Sequence, residues 1–121
     1  ESDIETSIKH NLENIKLRNE QEVILFRSVD EILKNVVKHA AATKVDITTE
    51  ATRYSFSVSI QDNGKGFDTS ILTPERRWRD SFGLFSIKER LEYLGGVLDI
   101  RSENGNGTLV ILNIPVSMEG I

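Results

Sequence analysis

Tyr54-Ser55-Phe56-Ser57-Val58-Ser59-Ile60-Gln61-Asp62-Asn63-Gly64-Lys65-Gly66, residues 54–66, is the stretch on which the fold turns. Tyr54, Phe56, Val58 and Ile60 alternate with Ser55, Ser57 and Ser59. A period of two puts the apolar set on one side of a strand and the serines on the other. The stretch therefore reads as a half-buried strand with one face on a core and one in water. Asp62-Asn63-Gly64-Lys65-Gly66 breaks that strand sharply with turn-forming residues.

Upstream of it the period changes. Leu25, Val29, Ile32, Val36 and Ala40 recur at helical spacing, with Leu33 and Val37 widening the stripe, which predicts a helix over residues 20–42. Val45, Ile47 and Thr49 predict a strand after it. Residues 4–9, with Ile4 and Ile8 on one face, predict an edge strand before it. Downstream, residues 68–82 hold Pro74, three arginines and the only tryptophan without a clean period. A loop this long inside a compact domain is usually functional or mobile. Residues 83–94 place Leu84, Ile87, Leu91 and Leu94 on one helical face, and Gly95-Gly96 ends that helix. Residues 97–102 and 108–116 predict strands flanking the turn Glu103-Asn104-Gly105-Asn106-Gly107. This order of elements predicts an α+β, two-layer sandwich. Its sheet is antiparallel or mixed, of about five strands, with the helices on one face.

A chain of 121 residues suits one domain, 1–121, with one core. Hydrophobic residues at 38% and charged residues at 28% give an ordinary globular balance. No apolar run approaches the length of a bilayer span, and no signal-peptide pattern is present. The absence of cysteine excludes disulfides and thiolate metal sites and suits the cytosol. Nineteen acidic against 15 basic residues give a net charge of −4, so no basic field invites nucleic acid. The first residue is Glu and leads directly into structured-looking sequence, which suggests an excised fragment, expected to be monomeric.

Four places carry possible chemistry. Glu31, Asn35 and either Lys38 or His39 share the helix face opposite the apolar stripe. A carboxylate and an amide oxygen one turn apart suit a hydrated Mg²⁺, which takes few protein oxygens; the alternative is a solvated helix face. Asp62, directly after a strand, offers an acceptor for an exocyclic amine such as that of adenine, with Gly64 and Gly66 permitting close backbone approach; the alternative is a simple turn. Ser81-Phe82-Gly83-Leu84 opens a helix and suits either an anion or an ordinary N-cap. Gly105-Asn106-Gly107-Thr108 is either a hairpin turn or a bend presenting Thr108. Neither a P-loop nor a Rossmann glycine fingerprint occurs. His10 and His39, the only histidines, are far apart, and neither a zinc site nor a serine triad is supported.

Taken in order, the four places resemble one family. Glu31-Ile32-Leu33-Lys34-Asn35-Val36-Val37-Lys38-His39-Ala40 resembles the N-box of the GHKL ATPases, which unite gyrase, MutL, heat-shock chaperone ATPases and histidine kinases. Its Asn-x-x-Lys-His-Ala form is most similar to sensor histidine kinases that pair with LuxR/NarL-type response regulators. Asp62-Asn63-Gly64-Lys65-Gly66-Phe67 resembles the first glycine box, and Phe82-Gly83-Leu84-Phe85-Ser86-Ile87-Lys88-Glu89-Arg90 the second. Leu94-Gly95-Gly96, Gly105-Asn106-Gly107-Thr108 and Ile114-Pro115 resemble the C-terminal hairpin, so the likeness runs over residues 20–116.

The resemblance implies a Bergerat ATP-binding fold with ATP and Mg²⁺ as ligands. Asn35 would ligate Mg²⁺, and Asp62 would bind the adenine amine. Gly64 and Gly66 would shape the pocket floor. Gly83, with Leu84, would form the phosphate end. Lys38 would contact the phosphates, His39 would be a further nucleotide-binding residue, and Thr108 would support the Asp62 network. Glu31 is the equivalent of the residue that activates water in the gyrase and MutL branches; its role here stays open. Residues 68–82 would be an ATP lid. Ser81 departs from the family's Gly-x-Gly, which puts nucleotide affinity in question. Neither His10 nor His39 matches the family's phosphoacceptor motif, so this domain is not expected to phosphorylate itself. It would donate the γ-phosphate of ATP to a histidine on a dimerisation domain of a longer parent, which could be membrane-anchored, with a response regulator downstream. The alternatives are a serine kinase of the anti-sigma-factor type and a degenerate nucleotide-binding module.

Overall fold

The computed structural model describes residues 4–11, 17–66 and 84–116. The expected lid over 68–82, with its arginines and Trp78, lies outside the described residues, as do Ser81, Phe82 and Gly83. The elements run β1 (Glu5–Asn11), α1 (Asn19–Asn35), a π-helical segment (Val36–Ala40), β2 (Lys44–Ala51), β3 (Ser55–Asp62), α2 (Leu84–Tyr93), β4 (Val97–Ser102) and β5 (Thr108–Pro115). The five strands form one sheet in the order β1-β2-β3-β5-β4. β1 runs parallel to β2, and the other three pairings are antiparallel, so the sheet is mixed as expected.

The serine alternation sets the register. Phe56, Val58 and Ile60 are buried, while Ser55, Ser57 and Ser59 are half-exposed on the opposite face. β3 lies at the centre of the sheet, so its buried residues pair with apolar neighbours on both sides: Ile60 faces Ile47 on β2 and Val110 on β5, and Val58 faces Leu112. Helix α1 lays Leu25 and Ile32 on this face, and Val36 continues the row. Helix α2 adds Ile87 and Leu91, both fully enclosed. Spacings of three and four put each set on one helical stripe, which is why both helices share one face of the sheet. Tyr54, read as part of the alternation, precedes β3 and is exposed.

The long helix differs from the expectation over 20–42 in one respect. Its α-helical part stops at Asn35, and Val36–Ala40 is wound as a π-helix that ends at Ala41 with φ 54° in the left-handed region. The amide of Val36 donates to both Ile32 and Leu33 carbonyls, a shared bond at the end of the α-helical turn. The sequence spacing of Val36 and Ala40 runs on without registering such a widened turn; Val36 is buried, but Val37, read as widening the apolar stripe, is exposed. π-helical turns in longer helices often occur at functional sites. Helix α2 ends as its glycines indicate: Gly96 N–H donates to Leu91 O and Gly95 N–H to Glu92 O, the two bonds of a Schellman motif.

Candidate functional site

Asp62, Gly64, Gly66 and Thr108 gather at one end of the sheet. Asp62 closes β3, where it pairs with Val45 at the start of β2 and with Thr108 at the start of β5; Thr108 in turn pairs with Ser102 at the end of β4. Only Ala41, Ala42 and Thr43 separate the π-helical segment from β2. Asn63 staples that connection. Its Oδ1 accepts from the backbone amides of Thr43 at 2.9 Å and Lys44 at 3.0 Å, and its Nδ2 donates to Thr43 Oγ1. The end of the N-box segment is thereby tied to the turn that follows Asp62.

Asp62 is buried, with 7% of its surface accessible. Its Oδ1 accepts the Gly64 N–H at 2.8 Å, and the carboxylate also accepts a backbone bond from Thr108. Burial raises its pKa above the ordinary value of 3.8, and the two backbone bonds oppose that rise only in part. A buried carboxyl held by amide donors is a fixed acceptor for an amine donor on a ligand.

Backbone contacts around it demand glycine. Gly66 has φ +66°, and a Cβ on it would stand 2.1 Å from the Glu103 carbonyl oxygen. Gly107 has φ +78°, and a Cβ there would lie 2.2 Å from the carbonyl oxygen of Asp62. The turn after β3 and the β4–β5 hairpin thus sit backbone to backbone, joined by a bond from Gly105 N–H to Lys65 O. Gly64, the other glycine of the turn, is buried and contributes its N–H to Asp62.

Thr108 was expected to support the Asp62 network; its backbone donates to the Asp62 carboxylate. Its hydroxyl instead lies 2.8 Å from Ser102 Oγ, which donates to Gly107 O. Ser102 was not singled out from the sequence; counting back across the hairpin from Thr108 would have found it. The hairpin also borders an open cavity of about 490 Å³, lined in part by Gln61, Arg101, Ser102, Glu103 and Thr108. Asp62 is not in its wall.

On the helical side, Asn35 is the last residue of α1 and half-exposed, and Lys38 is exposed within the π-helical segment that also contains His39. Glu31, one turn before Asn35, is engaged by Arg90 of α2: Nη1 lies 3.4 Å from Oε1. In the sequence Arg90 stands out only as part of the second glycine-box motif. Leu84 begins α2 and buries its side chain in the core, so only its backbone is available to an anion. Among the described residues there is no cluster of three His, Cys, Asp or Glu able to hold a metal ion. No described helix is long and apolar enough to cross a membrane.

The family model described as histidine kinase-, DNA gyrase B- and HSP90-like ATPase matches residues 20–118. The chain is 43% identical over 98 residues to the signal transduction histidine-protein kinase/phosphatase DegS of Brevibacillus brevis, covering 81% of this chain and 24% of that protein. It is 35% identical over 106 residues to DegS of Bacillus subtilis strain 168, covering 88% and 27%. The chain therefore spans about a quarter of the length of these curated relatives. The catalytic domain of the histidine kinase ThkA superposes with a TM-score of 0.73 at 17% identity, over 98% of this chain and 82% of that one. The ATP-binding domain of PrrB from Mycobacterium tuberculosis gives 0.71 at 20% identity, over 96% and 82%. At those identities the structures establish the fold, and the family match spans most of the sequence: the chain belongs to the histidine kinase-, DNA gyrase B- and HSP90-like ATPase family and has the fold of histidine kinase catalytic domains.

Proposed function

We propose that this domain binds Mg-ATP and, within a longer sensor kinase, presents the γ-phosphate to a histidine on a separate dimerisation domain. The observation that carries the reading is the buried Asp62 carboxylate, fixed by Gly64 and Thr108 amides at the sheet end reached by the N-box segment. Asp62 accepts the exocyclic amine of adenine, while the close backbone packing at Gly66 and Gly107 keeps the carboxylate in place. The relatives' names support a histidine as acceptor. A LuxR/NarL-type response regulator as downstream partner and a cytoplasmic location belong to the same proposal.

Asn35 fits Mg²⁺ as a single hard oxygen donor, because that ion fills most of its shell with phosphate and water. When bound, Mg²⁺ neutralises charge on the ATP phosphates. Asn35 holds it, Lys38 adds a point charge toward the phosphates, and His39 lies on the same segment. Leu84, at the start of α2, offers its backbone to phosphate oxygens. The chain's contribution to transfer is positioning and charge placement, as phosphoryl chemistry requires. Titration calorimetry tests the assignment. Mg-ATP should bind and Mg-GTP should bind far more weakly, since guanine opposes a carbonyl to the Asp62 acceptor. Equal affinities would remove Asp62 from base recognition.

A further inference from the structure

We infer that Arg90 is a positioning residue that withholds the Glu31 carboxylate from the nucleotide and so protects bound ATP from water. The inference rests on the nucleotide site proposed above. Glu31 and Arg90 are 59 positions apart and form an ion pair between the two helices that frame that site. Both side chains keep 35% of their surface in solvent, so the pair contributes little to stability. Its consequence is geometric.

Arg90 lies six residues into α2 from Leu84, about 9 Å along the axis from the helix start at 1.5 Å per residue. The helix start is the phosphate end in the proposed site. Paired with that guanidinium, the Glu31 carboxylate is occupied and not free to act beside the phosphates, while Asn35 lies one turn further along α1. A free carboxylate beside a γ-phosphate is a general base for water. It would take a proton from water as the water oxygen bonds to phosphorus and the bridging P–O bond breaks, with ADP leaving and inorganic phosphate formed. A domain that must hold its γ-phosphate for a histidine gains from keeping that base occupied. At 3.4 Å the contact is longer than an ordinary charge-assisted bond, which makes it a tether and not a rigid clamp.

The test is phosphate release from saturating Mg-ATP by the 121-residue chain, with Mg-ATP affinity and thermal melting measured on every variant. General-base catalysis contributes about 100-fold or more, so partial release of Glu31 in Arg90→Met should raise hydrolysis at least about ten-fold, while Arg90→Lys stays within about two-fold of the parent. The double variant Arg90→Met with Glu31→Gln should lose the gain. Arg90→Gln serves if Arg90→Met does not fold. No rise in a neutral variant that still folds and binds Mg-ATP overturns the inference. So does a rise that persists in the double variant, since the gain would not pass through Glu31. If the parent chain itself does not bind Mg-ATP, the underlying nucleotide reading fails, and the binding measurement identifies that case separately.

Discussion

The Asp62 carboxylate accepts a backbone hydrogen bond from Thr108, its own cross-strand partner on β5. The carboxyl is therefore held by the sheet itself and not by a mobile side chain. Its burial is unfavourable for the charged form, which sets up an opposition between binding and stability.

Asp62→Asn should separate the two. A hydrogen bond to a charged group contributes about 1.5–3 kcal/mol, so ATP affinity should fall roughly ten-fold or more. Stability without nucleotide should change by only about 1 kcal/mol, because the lost acceptor is offset by relief of a buried charge. The pH dependence has a definite sign. Because the folded pKa of Asp62 lies above its ordinary 3.8, the folded state holds more protons than the unfolded one between those two values. The Asp62 contribution to stability is thus greatest below the ordinary value and declines as pH rises through the raised one. Urea melts of parent and variant across that range should show the parent's relative stability falling with pH. A difference that grows with pH would contradict the assignment.

Gly107→Ala should be among the most disruptive single changes to this site. The new Cβ would meet the carbonyl oxygen of Asp62 at 2.2 Å, on a backbone with φ +78°. Backbone atoms on both sides leave no flexible side chain to yield. Strain and overpacking together should cost about 3 kcal/mol or more and displace Asp62 as well. Chemical denaturation measures the first effect and nucleotide titration the second. Gly105→Ala is the control for space alone, since nothing lies within 4 Å of a Cβ there, although its φ of +87° still imposes strain.

The sheet and helix assignments were legible because each element keeps one period. The alternation over 54–60 marks the central strand, and the leucine and isoleucine spacing over 84–94 marks α2. Asp62 stood out because it ends that strand just before two glycines. What stayed hidden depends on backbone winding or on distant pairs. The π-helical turn at Val36–Ala40 buries Val36 but leaves Val37 exposed, and the spacing of apolar residues in the sequence does not announce that winding. Ser102 becomes visible only once the hairpin register places it opposite Thr108. The partner of Glu31 lies 59 positions away on another helix, where no local spacing rule reaches.

Asn35→Ala should abolish Mg²⁺-dependent ATP binding while leaving the fold nearly intact. Asn35 is half-exposed at the end of α1 and is not part of the core cluster, and alanine is a better helix former. The stability change should stay within about 1 kcal/mol. Titration with and without Mg²⁺, alongside a thermal melt, checks both halves. A variant that melts far earlier yet binds Mg-ATP normally would make Asn35 a structural residue and remove it from the metal site.

Ser28 gives a prediction about stability with no functional group in play. It is fully buried on the α1 face that carries Leu25 and Ile32, and its Oγ has no hydrogen-bond partner among the described residues. A hydroxyl enclosed without a partner costs about 1–3 kcal/mol of desolvation. Alanine removes that hydroxyl, keeps the Cβ in the core and has the higher helix propensity, while the space left is only one atom in size. Ser28→Ala should therefore stabilise the domain by about 1 kcal/mol, a rise of several degrees in Tm for a chain of this length. Because Ser28 lies nearly two helical turns before Asn35, nucleotide affinity should not change. A destabilised variant would mean that the Ser28 hydroxyl is satisfied in solution, for instance by an enclosed water, and that the α1–sheet contact is wetter than the packing around Leu25 and Ile32 indicates.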